Sequence, residues 1–200
     1  MKTFKAIIAL SLVTGSANAA DFSFAGGFAN DNEVQEFNFA VAGAAQDVTL
    51  RTWSYAGGTD AAGTVIARGG FDPIVSLFNA STGSLIGVND DGHLVTDPVS
   101  GNSYDSFLMQ TLAAGNYTAT VTQYSSFPSG SLADGFQGTG HSDFGGRDSH
   151  WALDVLNVGS ASLGDSYVSP IPEPESYALL LAGLGLVGFM ARRKKSDDRV

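Results

Sequence analysis

Cysteine is absent from the 200 residues, which excludes a disulfide framework, a thiolate metal site and a cysteine nucleophile. Cations are scarce in the middle of the chain. Between residues 20 and 170, sixteen carboxylates face only Arg51, Arg68 and Arg147, a net charge near −13. A field of that sign repels phosphate backbones and anionic headgroups, so nucleic-acid binding is excluded and cations become the natural counter-partners. Helical periodicity is missing from the same region, where no stretch repeats apolar residues at a 3.6 spacing over three turns. Signatures of catalysis are missing as well. There is no G-x-S-x-G elbow, and His93, His141 and His150 stand isolated at spacings that match no metal motif. Glycine pairs such as Gly57-Gly58 and Gly69-Gly70 precede no helix that would cradle phosphate. The chain is therefore read as a non-enzyme. A pair of carboxylates working as acid and base is the hydrolytic alternative.

What is present begins at the two ends. Lys2 and Lys5 precede an apolar run at residues 6–13, and Ala17, Asn18 and Ala19 supply small residues at a cleavage position. That order is a secretory signal peptide over residues 1–19, an apolar helix handed to the Sec translocon and removed by signal peptidase, so the mature chain starts near Ala20. At the other end stand Pro172, Glu173 and Pro174, then fifteen uncharged residues at 177–191, then Arg192, Arg193, Lys194 and Lys195. A helix over 177–191 covers roughly 22 Å at about 1.5 Å per residue, short of a hydrocarbon core about 30 Å thick. Four cations directly after it stay on the cytoplasmic side with the tail 196–200, which places the body outside.

These three parts, in this order, resemble the PEP-CTERM sorting signal of bacteria that carry an exosortase. The resemblance implies a protein exported from a Gram-negative cell, held briefly in the inner membrane, cut near Pro172–Pro174 by the exosortase, and delivered to the cell surface or extracellular matrix. Association with exopolysaccharide in a biofilm is implied in the same way. The prolines suit the task, because they hold an extended, helix-free backbone that a protease cleft can read.

The body, residues 20–158, reads as all-β: an antiparallel β-sandwich followed by a linker over 159–171. Phe37, Phe39 and Val41 alternate to one face, as do Val48, Leu50 and Thr52. Residues 74–78 form a buried strand and 84–88 its return, joined by a turn in which Gly83 is free to take positive φ. Residues 105–112 and 117–124 are expected as a second hairpin, 125–149 as a long polar loop, mobile or ordered by an ion, and 151–158 as a last strand. The stretch 69–124, with FDPIVSLFN, GSLIGVNDDG and DSFLMQTLAAGNYTATVTQY, resembles the bacterial pre-peptidase carboxy-terminal domain. That resemblance implies a jelly-roll-like sandwich serving as an accessory module.

The candidate site is Asn89-Asp90-Asp91-Gly92. Adjacent carboxylates on a tight loop repel one another unless a hard cation gathers them, and calcium takes six to eight oxygens. Asp72 and Asp105, at the starts of neighbouring strands, complete the candidate ligand set Asp72, Asp90, Asp91 and Asp105. The plain alternative is a turn made by side-chain-to-backbone hydrogen bonds. Trp53, Trp151 and the tyrosines read first as core, with stacking on sugar rings as the alternative. Two functional readings follow: a non-enzymatic surface or matrix protein, or a calcium-assisted module that binds carbohydrate or protein.

Overall fold

The computed structural model describes residues 19–140 and 142–169. Residues 1–18 of the signal peptide, the sorting segment 172–195 with its apolar run, the tail 196–200 and His141 lie outside the described residues. Eleven strands follow in order: β1 Ala20–Gly27, β2 Glu33–Val41, β3 Gln46–Thr52, β4 Gly58–Thr59, β5 Val65–Ile66, β6 Pro73–Asn79, β7 Leu85–Asn89, β8 Phe107–Leu112, β9 Gly115–Gln123, β10 His150–Val158 and β11 Ser160–Val168. Four form one sheet in the order β1-β10-β3-β8, five form a second in the order β11-β2-β9-β6-β7, and β4 and β5 pair as a small ribbon. Every pairing between these strands is antiparallel.

Period-2 patterning explains how the sheets meet. Phe37, Phe39 and Val41 of β2, Val75 and Leu77 of β6 and Tyr117, Ala119 and Val121 of β9 point inward from the five-stranded sheet. Val48 and Leu50 of β3 and Leu153 and Val155 of β10 answer them from the other. One apolar cluster thus joins both inner faces, the arrangement of a sandwich. Trp151 sits in it, 4 % exposed, edge-on to Phe37 with ring centroids 5.4 Å apart. Trp53 is also buried, and its indole N–H donates to Asp154 at 2.8 Å. Both tryptophans are core.

The β6–β7 hairpin forms as expected. Asn79 N–H donates to Ser84 O, the Asn79 carboxamide oxygen accepts from Ser81 and Thr82, and Gly83 takes φ +70°. Three expectations are corrected. First, β8 and β9 are not a hairpin: β8 pairs with β3 and β9 with β2 and β6, so residues 113–114 arch from one sheet to the other. Leu112 and Tyr117 both face the interior, which two strands on opposite sheets achieve as readily as two neighbours.

Second, residues 160–168 are not a linker but the edge strand β11, laid along β2, so the folded body extends past Val158 to Ser169. An edge strand is held by backbone hydrogen bonds on one side, and its small polar residues carry no burial pattern. Third, residues 125–149 pack on the body. Phe136 is fully buried against Val34 and Phe78 on the outer face of the five-stranded sheet, with Leu132 and Tyr167 at its rim. β6, an interior strand of that sheet, is consequently buried on both faces, which is why Ile74 and Phe78 are apolar as well as Val75 and Leu77.

Candidate metal centre

One end of the sandwich gathers the start of β6, the turn after β7, the start of β8 and the end of β9. Asp72 immediately precedes β6, and its carbonyl accepts Tyr124 N–H at 2.8 Å. Asp90 and Asp91 follow β7. Gly92 closes the turn by donating to Asp105 O at 2.8 Å, and a Cβ there would lie 2.5 Å from Phe107 Cβ, so the close approach requires glycine. Asn89 fixes the turn from the other side, its side-chain oxygen accepting Phe107 N–H at 2.6 Å.

This frame brings ligand oxygens of Asp72, Asp90 and Asp91 within 4.8 Å of one another. Among the described residues they are the one set of three carboxylates or imidazoles gathered closely enough for a metal ion. Each of the three has its Oδ1 buried with no hydrogen-bond partner in the protein. Buried polar atoms are normally satisfied, and three partnerless carboxylate oxygens on residues gathered this closely are the electrostatic complement of a cation. The surroundings add oxygen. The Ser106 hydroxyl lies 2.7–2.8 Å from the carbonyls of Pro73, Asn89 and Asp90, and its single proton serves one of them at a time.

Without a cation the cluster titrates abnormally. Burial, and then the charges of Asp90, Asp91 and Asp105, push Asp72 up to about 8 from the usual carboxylate range, with Arg147 pulling the other way. Burial and Asp91 push Asp90 up to about 6.

Asp105, the fourth candidate ligand, does not join. It is 2 % exposed, and its carboxylate accepts Thr52 Oγ1 at 2.9 Å and the backbone N–H groups of Ser54, Tyr55 and Ala56 at 2.6, 3.1 and 2.7 Å. Burial raises its pKa, and those bonds offset only part of the rise. Asp105 is an anchor for the loop after β3. The described histidines stand elsewhere: His93 is exposed, and His150 contacts Ala67 O and Asp148.

Beside the cluster runs a groove of about 230 Å³ lined by Tyr55, Asp72, Tyr104, Gln123, Tyr124, Phe144, Gly145 and Arg147. Gln123 went unnoticed in the sequence. It ends β9 opposite Pro73, is 3 % exposed, and its Oε1 is buried without a partner. A lone glutamine closing a threonine-rich strand carries no pattern that would single it out. Arg147 stacks over Tyr55, 3.6 Å from the ring centroid, and its Nε and Nη2 donate to Gly70 O and Tyr55 O at 2.6 and 2.8 Å. Asp97, fully buried and held well below the usual carboxylate range by Arg68, lies 3.8 Å from the same guanidinium.

Residues 170–194 match the PEP-CTERM protein-sorting motif. The match covers the Pro172, Glu173 and Pro174 triplet, the apolar run and Arg192, Arg193 and Lys194; Lys195 lies one residue beyond it. The motif implies exosortase-dependent sorting of an exported protein of a Gram-negative bacterium, with processing at the membrane. Comparison with curated proteins found no match to the chain.

Proposed function

We propose that this chain is a non-enzymatic surface or matrix protein: an acidic β-sandwich exported through the Sec route, cut by an exosortase at its sorting motif and left at the cell surface among exopolysaccharide. The single observation that carries the reading is the matched motif at 170–194, which begins one residue after the folded body. That body runs up to Ser169, whose N–H donates to Asn32 O and whose Oγ accepts Phe136 N–H. The address is therefore mounted directly on the sandwich. Mass spectrometry of the mature protein tests this. From wild-type cells the expected product starts near Ala20 and ends near Pro172–Pro174, and from cells lacking the sorting enzyme it retains residues 175–200. Retention of 175–200 in the wild-type product sinks the processing reading.

A second element of the proposal is a calcium site at Asp72, Asp90 and Asp91. It is supported by three buried carboxylate oxygens without partners, gathered by a turn whose glycine and asparagine fix its shape. Three carboxylates bound through one oxygen each supply three ligands of the six to eight that calcium takes, which leaves positions for oxygens from outside. The likeness of residues 69–124 to the pre-peptidase module fits an accessory, non-catalytic role on a jelly-roll-like frame. A bound cation in that role rigidifies the end of the sandwich and presents a Lewis-acidic point on an otherwise anionic surface.

A further inference from the structure

The folded body ends on a strand in two pieces. A bulge between Leu163 and Ser166 divides the pairing of β11 with β2 into one ladder, Ser160–Leu163 against Ala40–Phe37, and a second of three residues, Ser166, Tyr167 and Val168 against Gln35, Val34 and Glu33. Ser166 and Val168 are exposed, and Tyr167 is half-buried at the rim of the Phe136 cluster with its hydroxyl bonded to Glu36. Side-chain burial therefore adds little to the second ladder, whose backbone hydrogen bonds lie along a sheet edge open to water. The joint between the ladders is weak as well. The Gln35 carboxamide spans it at 3.3 and 3.4 Å from Gly164 O and Asp165 O, and Asp165 repels Glu36 across it. One firm point lies beyond: Ser169 is 1 % exposed, its N–H donates to Asn32 O and its Oγ accepts Phe136 N–H, both at 3.0 Å. Pro170, next in sequence, has no N–H with which to extend the ladder.

The firm point stands very close to the processing segment. Pro172 is three residues past Ser169, and even a fully extended chain spans at most about 10 Å over three residues. That is about the thickness of one helix. An enzyme cleft that reads an extended chain by pairing with its backbone has no room to close on 172–174 while Ser169 is pinned, and the residues just upstream are already paired to β2. Opening the second ladder as far as the bulge changes this. The last fixed residue becomes Leu163, nine residues before Pro172, and the reach grows to about 30 Å.

We propose that Ser166–Ser169 is a strap: closed on β2 it withholds the processing segment, and the sorting enzyme cuts once the strap has peeled back to the bulge. The proposal rests on the processing reading and adds a gate to it. Pulse-chase cleavage of the full chain in cells that carry the enzyme tests it. Because the chain has no cysteine, Glu33→Cys with Val168→Cys places one disulfide across the second ladder, at a register pair within bridging distance, and a non-reducing gel scores its formation. Cleavage should be at least tenfold slower than wild type in the cross-linked double variant and unchanged in either single variant. A ten-residue Gly/Ser insert after Ser169 should speed cleavage of the otherwise native chain and restore it in the cross-linked one, since it supplies the reach that peeling supplies. Cleavage of the cross-linked chain at the wild-type rate overturns the strap. So does a cross-linked chain that stays slow with the insert, because the block then lies elsewhere. If the wild-type, insert and cross-linked chains all keep residues 175–200, the processing reading fails and the strap with it.

Discussion

In calcium-free buffer the protein is expected to lose stability as pH is raised from about 4 to about 8, and millimolar calcium is expected to restore it at the upper end. The sign follows from Asp72. Its unfolded value lies near 3.9, and in the folded body burial and its acidic neighbours hold it up at about 8. Between those values the folded state keeps a proton that the unfolded chain has released, so stability falls across that window and is fully present only below it. With discount for partial solvent contact, the loss is on the order of 3 kcal/mol. Asp90 contributes in the same direction up to about pH 6. Asp97 acts oppositely, but being held low its contribution changes only below about pH 4. Urea unfolding in chelator between pH 5 and pH 8 measures the slope, and Asp72→Asn should flatten it and remove the response to calcium. Stability that is flat or rising over that range in the wild type would show that the carboxylates are not crowded as described.

Asp105→Ala is expected to be the most damaging single change among the acidic residues, for a reason unrelated to metal. It leaves the N–H groups of Ser54, Tyr55 and Ala56 and the Thr52 hydroxyl without their acceptor inside the protein. Each orphaned donor costs about 1–3 kcal/mol, and partial relief by water brings the total to about 3–5 kcal/mol. For a body of this size that is a fall of roughly 10–20 °C in Tm. The fall should be equal in calcium and in chelator. A variant that melts like the wild type in chelator but no longer responds to calcium would instead make Asp105 a ligand.

The contrast between Asp72 and Asp105 marks the limit of what the sequence discloses. Both stand at strand starts among small and aromatic neighbours, and residue type and spacing do not separate them. What separates them is which backbone faces each carboxylate: three converging N–H groups for Asp105, other carboxylates for Asp72. The strands were legible where one face is buried, as in Phe37, Phe39 and Val41, because period 2 is then written in the residues. β11 was not, because an edge strand depends on hydrogen bonds that Ser160, Ser162 and Gly164 make as well as any residue. Burial of the outer sheet face under Phe136 had one trace in the sequence, the apolar residues on both sides of the β6 pleat, where Ile74 and Phe78 join Val75 and Leu77 around Ser76. The Asp90-Asp91-Gly92 turn was legible as a turn and as a candidate site, since paired carboxylates beside glycine state both the charge problem and the geometry. Gln123 was invisible, because a lone glutamine ending a threonine-rich strand carries no pattern.

Calcium titration of the full chain by calorimetry at pH 7, in two buffers of different ionisation heat, bears most directly on the three gathered carboxylates. Saturation at one ion per chain is expected, with about one proton released as calcium displaces it from Asp72. No binding after chelator removal would contradict a cation site at Asp72, Asp90 and Asp91, and binding with no proton exchanged would contradict the raised Asp72.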